Sequence, residues 1–305
     1  MKLTGTAGSC PLRTSLARKE GIVKTILNLF KLRIGVVITF TALAAAAITP
    51  GAALSAWKML VLALSVMIAS ASAGAFNQFV ERDIDARMGR TRGRPFVTGA
   101  LVHDARWLWL IMALTTAAVL AAGWALNPLS ALYVFLGAFF YAVVYTVWLK
   151  RRTWMNIVVG GLSGSFAVLA GAAAVAPGLP PQPLILALVL FLWTPPHFWS
   201  LAIAYRDDYV AAGVPMLPAV IGAECSARVV LANAVLLVAA SLLPLLYGAG
   251  PLYFAGAAGG GLLFVFKAAR LAREPSRKNA MGSFFASLVQ LSLLLVAWMI
   301  EAALR

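Results

Sequence analysis

The chain has 305 residues, 62% of them hydrophobic and only 11% charged, with a mean hydropathy of +0.90. Soluble domains carry about a quarter charged residues, so too little polar surface exists here to coat a water-soluble fold. A disordered chain and a disulfide scaffold are excluded too: Cys10 and Cys225 are the only cysteines, and two so far apart argue neither a redox couple nor a metal site. The net charge of +15 would suggest nucleic acid in a soluble protein. In a membrane protein it marks cytoplasmic loops, and no nucleic-acid partner is expected.

Residues 1–21 hold Lys2, Arg13, Arg18 and Lys19 without the apolar run of a secretory signal. They are expected to form a flexible cytosolic tail ahead of a single transmembrane domain over 22–305. Residues 22–33 alternate apolar and basic positions, as an interfacial helix does. A bilayer core of about 30 Å takes roughly 20 apolar residues per helix. Nine stretches qualify: 34–52, 56–76, 105–126, 129–148, 155–176, 184–204, 227–246, 251–269 and 282–302. Turn formers such as Thr49-Pro50-Gly51, Asn127-Pro128 and Pro180-Pro181 separate them. The predicted fold is an all-α polytopic bundle of about nine transmembrane helices, with cytoplasmic connections forming a cap. Gly160, Gly161 and Gly164 are spaced for close helix packing. His103, beside Asp104, reads as a polar residue at a helix entry. Trp107, Trp124, Trp148 and Trp154 fit interfacial belts.

Charge falls on alternate connections. Every Lys and Arg except Lys58 and Arg305, and every acid except Glu301, precedes residue 34 or lies around 77–106, 150–152, 206–228 and 267–278. The asymmetry predicts a cytoplasmic N-terminus, an outside C-terminus and chemistry on the cytoplasmic face of the membrane.

Two inside connections, about 77–104 and 205–226, are longer than a turn requires and carry clustered carboxylates. If the second span continues as a helix, Asn77, Glu81 and Asp85 recur at i, i+4 and i+8 and share one face, while Asp83 points elsewhere. Carboxylates at a membrane boundary need cations. Their hard oxygens suit Mg²⁺, which is usually held together with substrate phosphates, and Arg90, Arg92 and Arg94 offer forks that fit phosphate oxygens. In the second segment, Trp193-Thr-Pro-Pro-His197-Phe-Trp199 runs on to Tyr205-Arg-Asp207-Asp208-Tyr209. Pro196 can open a helix, and the eleven residues from His197 to Asp208 make about three turns, which would set both on one side. Lys150, Arg151 and Arg152 add a third cationic patch. Polar residues thus collect at one rim of the bilayer, whereas a transporter, the alternative of a different class, needs a pathway through it.

With these residues in view, the chain resembles the UbiA superfamily of intramembrane prenyltransferases, and within it the haem-modifying branch. The resembling text is Asn77…Glu81-Arg-Asp-Ile-Asp85…Arg90-Thr-Arg92…Arg94-Pro95, Tyr145 to Thr153, Asn156 to Gly161, the WTPPHFW segment from Trp193 to Trp199, Asp207-Asp-Tyr209 and Gly213 to Pro218. It covers roughly residues 30–247, the last two spans matching in hydropathy alone. In the superfamily pattern N-D-x-x-D-x-x-x-D, Gln78 stands at the second defined position, where an acid is usual, and Glu81 at the third. In the second acidic motif, His197 and Ala204 stand where acids are usual and Asp208 remains, which leaves the number of Mg²⁺ ions open.

The resemblance implies transfer of farnesyl from farnesyl diphosphate to a vinyl group of haem b, with addition of water, to give haem O for a terminal oxidase. It implies Mg²⁺ on Asn77, Glu81, Asp85 and Asp208, and diphosphate contacts from Arg90, Arg94, Lys150 and Arg151. His197 and Trp199 would face the haem. His197 could ligate the iron, touch the porphyrin edge or orient the attacking water; its alternative is to support Asp208. The expected catalytic set is therefore Asn77, Glu81, Asp85, His197 and Asp208. Partners implied are the lipid bilayer, both substrates, and a haem A synthase or oxidase assembly factors. An aromatic acid acceptor, as in quinone biosynthesis, is the alternative within enzymes; it shares the first motif but not WTPPHFW.

Overall fold

The computed structural model describes residues 21 and 23–304, so residues 1–20 of the expected tail, with Cys10, lie outside the described residues. Among those residues there is no strand. Helix α1 (Val23–Leu29) meets α2 (Leu32–Ile48) at a bend of 50°. Then come α3 (Ala56–Val80), the short α4 (Arg82–Arg87) and α5 (Pro95–Thr98), α6 (Arg106–Ala125) and α7 (Pro128–Phe139). α7 runs into a π-helical segment (Phe140–Leu149), followed by α8 (Asn156–Gly160), α9 (Leu162–Val175) and α10 (Pro181–Ala204). The chain closes with short α11 (Arg206–Ala211) and α12 (Leu217–Val220), then α13 (Gly222–Ala240), α14 (Pro251–Arg273) and α15 (Arg277–Ala303). Among the described residues, eight helices or helix pairs are long and apolar enough to cross a membrane, nine with the bent α1–α2 pair. The protein is an all-α polytopic membrane protein, and the helices fall on the nine stretches read from hydropathy.

Successive helices pack as antiparallel neighbours: α2 on α3, α6 on α7, α14 on α15. α9 and α10 join the two halves, α9 packing on α2 and α7, and α10 on α13 and α15. α10 is the most enclosed span, while α6 and the α7 span keep most of their side chains on the outside. Without a hydrophobic driving force between helices in lipid, small residues must let backbones approach. At Gly171 an added Cβ would lie 1.9 Å from the Ala42 carbonyl oxygen, against backbone that cannot swing aside. Gly171→Val should therefore force α2 and α9 apart and destabilise the bundle by about 3 kcal/mol or more. The check is the melting temperature of the purified variant in detergent. A native-like melting curve would refute the close approach.

One expectation is corrected here. No helix opens at Pro196; α10 runs unbroken through Pro195 and Pro196. Pro195 and Pro196 bring no N–H to the Phe191 and Leu192 carbonyls, and on either side of that gap Thr194 Oγ1 donates to the Leu190 carbonyl while Ser200 Oγ donates to that of Pro196.

Candidate active site

Helix α3 ends at Val80 and α4 begins at Arg82, with Glu81 at the joint. The register nonetheless carries across, because Glu81 N–H donates to the Asn77 carbonyl at 3.0 Å and Asp85 N–H to that of Glu81 at 2.8 Å. Asn77, Glu81 and Asp85 are all buried on one side, as the spacing predicts, and Asp83 is exposed. Each of the three holds a cation. Lys31 Nζ donates to Asn77 Oδ1 at 2.7 Å, Lys150 Nζ to Glu81 Oε2 at 2.6 Å, and Arg94 Nη1 to Asp85 Oδ2 at 2.5 Å while lying 4.0 Å from Glu81 Oε2. Buried charges of one sign are tolerated only when paired in this way.

Lys31 escaped the sequence reading because it lies in the run taken as an interfacial helix. It is a non-glycine residue in the left-handed region (φ 48°) at the α1–α2 corner. Gln78 holds that corner by donating from Nε2 to the carbonyls of Asn28 and Leu29. The amide standing where the superfamily has an acid is thus a strut. A strained backbone of this kind persists only where contacts over-determine it.

The π-helix explains the reach of Lys150. In an α-helix the nine residues from Tyr141 to Lys150 make about two and a half turns and end on opposite sides. The looser i→i+5 winding, seen in Lys150 N–H donating to the Tyr145 carbonyl, brings both to the face of α3. Tyr141 OH then accepts from Lys31 at 3.2 Å and Thr146 Oγ1 accepts from Asn77 Nδ2 at 3.1 Å. The Tyr145 ring lies 5.5 Å from Lys150 Nζ. Gly160 makes room for that ring, since a Cβ there would stand 2.8 Å from Tyr145 Cδ2. Gly161 does the same for Thr194, whereas Gly164 borders open space. Apolar periodicity treats 129–148 as one ordinary helix and gives no sign of Tyr141, Tyr145 or Thr146.

The two long connections meet as a cap. Asp208 Oδ1 accepts from Gly89 N–H at 3.4 Å, and Arg90 donates to Tyr209 OH at 3.1 Å with its guanidinium 5.5 Å from the centre of the Tyr205 ring. Asp208 thus joins the rim through the loop after α4. Among the described residues no three His, Cys, Asp or Glu side chains are grouped to hold a metal ion. The oxygen chemistry fits one hard cation at Glu81 and Asp85: Glu81 Oε1 is buried without a hydrogen-bond partner.

Arg151 is turned away from Asn77, Glu81 and Asp85. It grips Asp83 with two bonds of 2.7 and 2.8 Å on the surface, and that hydrogen bond holds the Asp83 carboxyl below its ordinary pKa. Exposed pairs contribute little. Asp83→Asn should therefore keep turnover within about twofold of the parent in a membrane assay, in contrast to its neighbours. A loss comparable to theirs would put Asp83 in the site.

His197 and Asp208 do not share a helix face: α10 ends at Ala204, and Tyr205 (φ −124°, ψ 31°) redirects the chain into α11. A single three-turn helix cannot continue through that kink. His197 instead faces α15, buried between the rings of Trp193 and Phe284 at 4.1 and 4.4 Å, with Nδ1 2.7 Å from Ser287 Oγ. Trp199 is buried beside Trp154, its Nε1 unpartnered. His103 stacks on Phe79 at 3.9 Å with Nε2 2.9 Å from the Phe79 carbonyl oxygen, a structural contact ahead of α6.

An α-helical membrane bundle that gathers an amide, paired carboxylates and lysine and arginine side chains at one rim is built to handle an anionic head group beside an apolar interior. The chain belongs to the UbiA prenyltransferase family, which matches residues 38–293 and so extends into the last two helices, beyond the 30–247 of the motif text. It is 57% identical over 282 residues to protoheme IX farnesyltransferase 2 of Paramagnetospirillum magneticum, covering 92% of this chain and 98% of that one. The fold is shared with a solved digeranylgeranylglyceryl phosphate synthase (TM-score 0.76, 20% identity, 93% of this chain and 99% of that one). It is also shared with a UbiA homolog from Archaeoglobus fulgidus bound to DMAPP and Mg²⁺ (TM-score 0.65, 16% identity, 88% and 99%). The chain is accordingly a membrane prenyltransferase.

Proposed function

We propose that this enzyme transfers the farnesyl group of farnesyl diphosphate to a vinyl group of haem b, with addition of water, to give haem O and diphosphate for terminal oxidase biogenesis. The observation that carries the reading is the rim where Lys31, Lys150 and Arg94 sit on Asn77, Glu81 and Asp85, with the WTPPHFW helix in the same bundle. The near-full-length relative named for this activity supports the choice of substrates.

The chemistry asked of the site is ionisation of an allylic C–O bond. Lys31, Lys150 and Arg94 are poised to leave their partners for diphosphate oxygens, neutralising charge as it develops on the leaving group. Arg90, held on Tyr205 and Tyr209, is a further candidate for the head group. Glu81 and Asp85, joined by Asn77 and Asp208, would hold Mg²⁺ arriving with the diphosphate; when bound it supplies a Lewis acid for that same leaving group. The apolar interior keeps water from the allylic carbon. The prenyl chain passes from lipid to protein without recovering the roughly 0.8 kcal/mol per CH₂ that leaving water would give, so affinity resides in the head group. The charge asymmetry puts the N-terminus and this rim in the cytoplasm and the C-terminus outside an inner membrane. His197 and Trp199 are assigned to the haem side.

The test is direct. Membranes holding the expressed protein are given haem b and labelled farnesyl diphosphate, and the porphyrin product is analysed by mass. A farnesyl-plus-water increment on haem is expected; labelled aromatic product with unchanged haem would overturn the reading.

A further inference from the structure

Ser287 lies on α15, to which the sequence reading gives no chemistry. Two residues one turn apart on α10 dock on it: Trp193 Nε1 donates to its backbone carbonyl at 2.8 Å, and His197 Nδ1 lies 2.7 Å from its hydroxyl. The imidazole is stacked on Trp193 (interplanar 19°) on one side and Phe284 (26°) on the other, with Phe198 edge-on at 5.1 Å. Its plane is fixed by the stacking, and a flip within that plane would present carbon to the hydroxyl.

A serine hydroxyl carries one proton. That of Ser287 is directed at the Phe284 carbonyl, 2.7 Å away. Only oxygen lone pairs are left for His197, so Nδ1 must bring the hydrogen. In a neutral imidazole the other nitrogen, Nε2, then holds the lone pair.

We propose that Ser287 is a positioning residue that locks His197 in the Nδ1–H tautomer, so that Nε2 meets the haem substrate as an electron-pair donor and not as an N–H donor. This rests on the assignment of His197 to the haem side made above. Removing an outer partner that orients a ligating histidine typically lowers activity 10–100-fold.

The chain has two histidines, His103 and His197, so ¹⁵N-histidine labelling of the full protein in lipid nanodiscs gives two imidazoles, and His103→Ala leaves one. In the His103→Ala background the remaining ring should show protonated Nδ1 and bare Nε2. Ser287→Ala should move it toward the Nε2–H form, and Ser287→Thr should restore it. The Trp193 bond goes to the backbone and survives both changes. Haem farnesylation should fall roughly 10–100-fold in Ser287→Ala, with farnesyl diphosphate affinity within twofold, and recover in Ser287→Thr. A protonated Nε2 in the parent, or a tautomer unmoved by Ser287→Ala, overturns the lock. A tautomer that moves while farnesylation holds steady leaves the lock intact and overturns the assignment of His197 to haem.

Discussion

Glu81→Gln and Asp85→Asn should each lower turnover by about 100-fold or more, the scale on which single stabilising groups act in a preorganised site. Both carboxylates are buried and each balances a cation, buried Lys150 for Glu81 and half-buried Arg94 for Asp85, so the neutral amide disturbs the cation as well as the oxygen ligand. Haem affinity should stay close to that of the parent. The measurement is product formation at saturating Mg²⁺ beside a haem titration, and near-normal turnover in either variant would refute the metal assignment. The pH profile follows the same groups. Burial pushes the Asp85 carboxyl above its ordinary value, against the pull of Arg94. Activity that needs the carboxylate is lost as pH falls through that raised pKa, so the acid limb should lie above the usual carboxylate range. In Arg94→Gln the residual activity should lose its acid side at still higher pH, because the group that lowers Asp85 is gone.

His197→Ala separates the haem-modifying reading from that of a generic prenyltransferase. The ring faces α15 rather than Asp208, and a neutral imidazole suits hard Mg²⁺ poorly. The variant should bind farnesyl diphosphate within a few-fold of the parent, by isothermal titration, yet make almost no farnesylated haem. A changed haem spectrum would identify iron ligation, whereas an unchanged one with product lost would identify a role in the attack of water. Collapse of diphosphate affinity with haem binding untouched would return His197 to the head-group site.

The sequence alone determined the class of fold, because length, hydropathy and turn residues in a bilayer leave few choices beyond helices of about 20 residues. It also determined that Asn77, Glu81 and Asp85 lie on one side: their spacing is local and follows the helical period even across the joint at Glu81. What it could not reach is set by long-range packing. Lys31 meets Asn77 across 46 residues, and Lys150 meets Glu81 across 69. The latter contact depends on a π-helix that apolar periodicity does not distinguish from an α-helix. Arg151 looked equivalent to Lys150 as the next basic residue, and one residue of helical phase turned it outward onto Asp83. His197 was aligned with Asp208 by counting turns along one continuous helix. The chain kinks at Tyr205, and the partner of the ring came from α15, 90 residues further on. Periodicity reads one helix at a time; which helix faces which is decided only when small residues such as Gly171 and Gly160 let the bundle close.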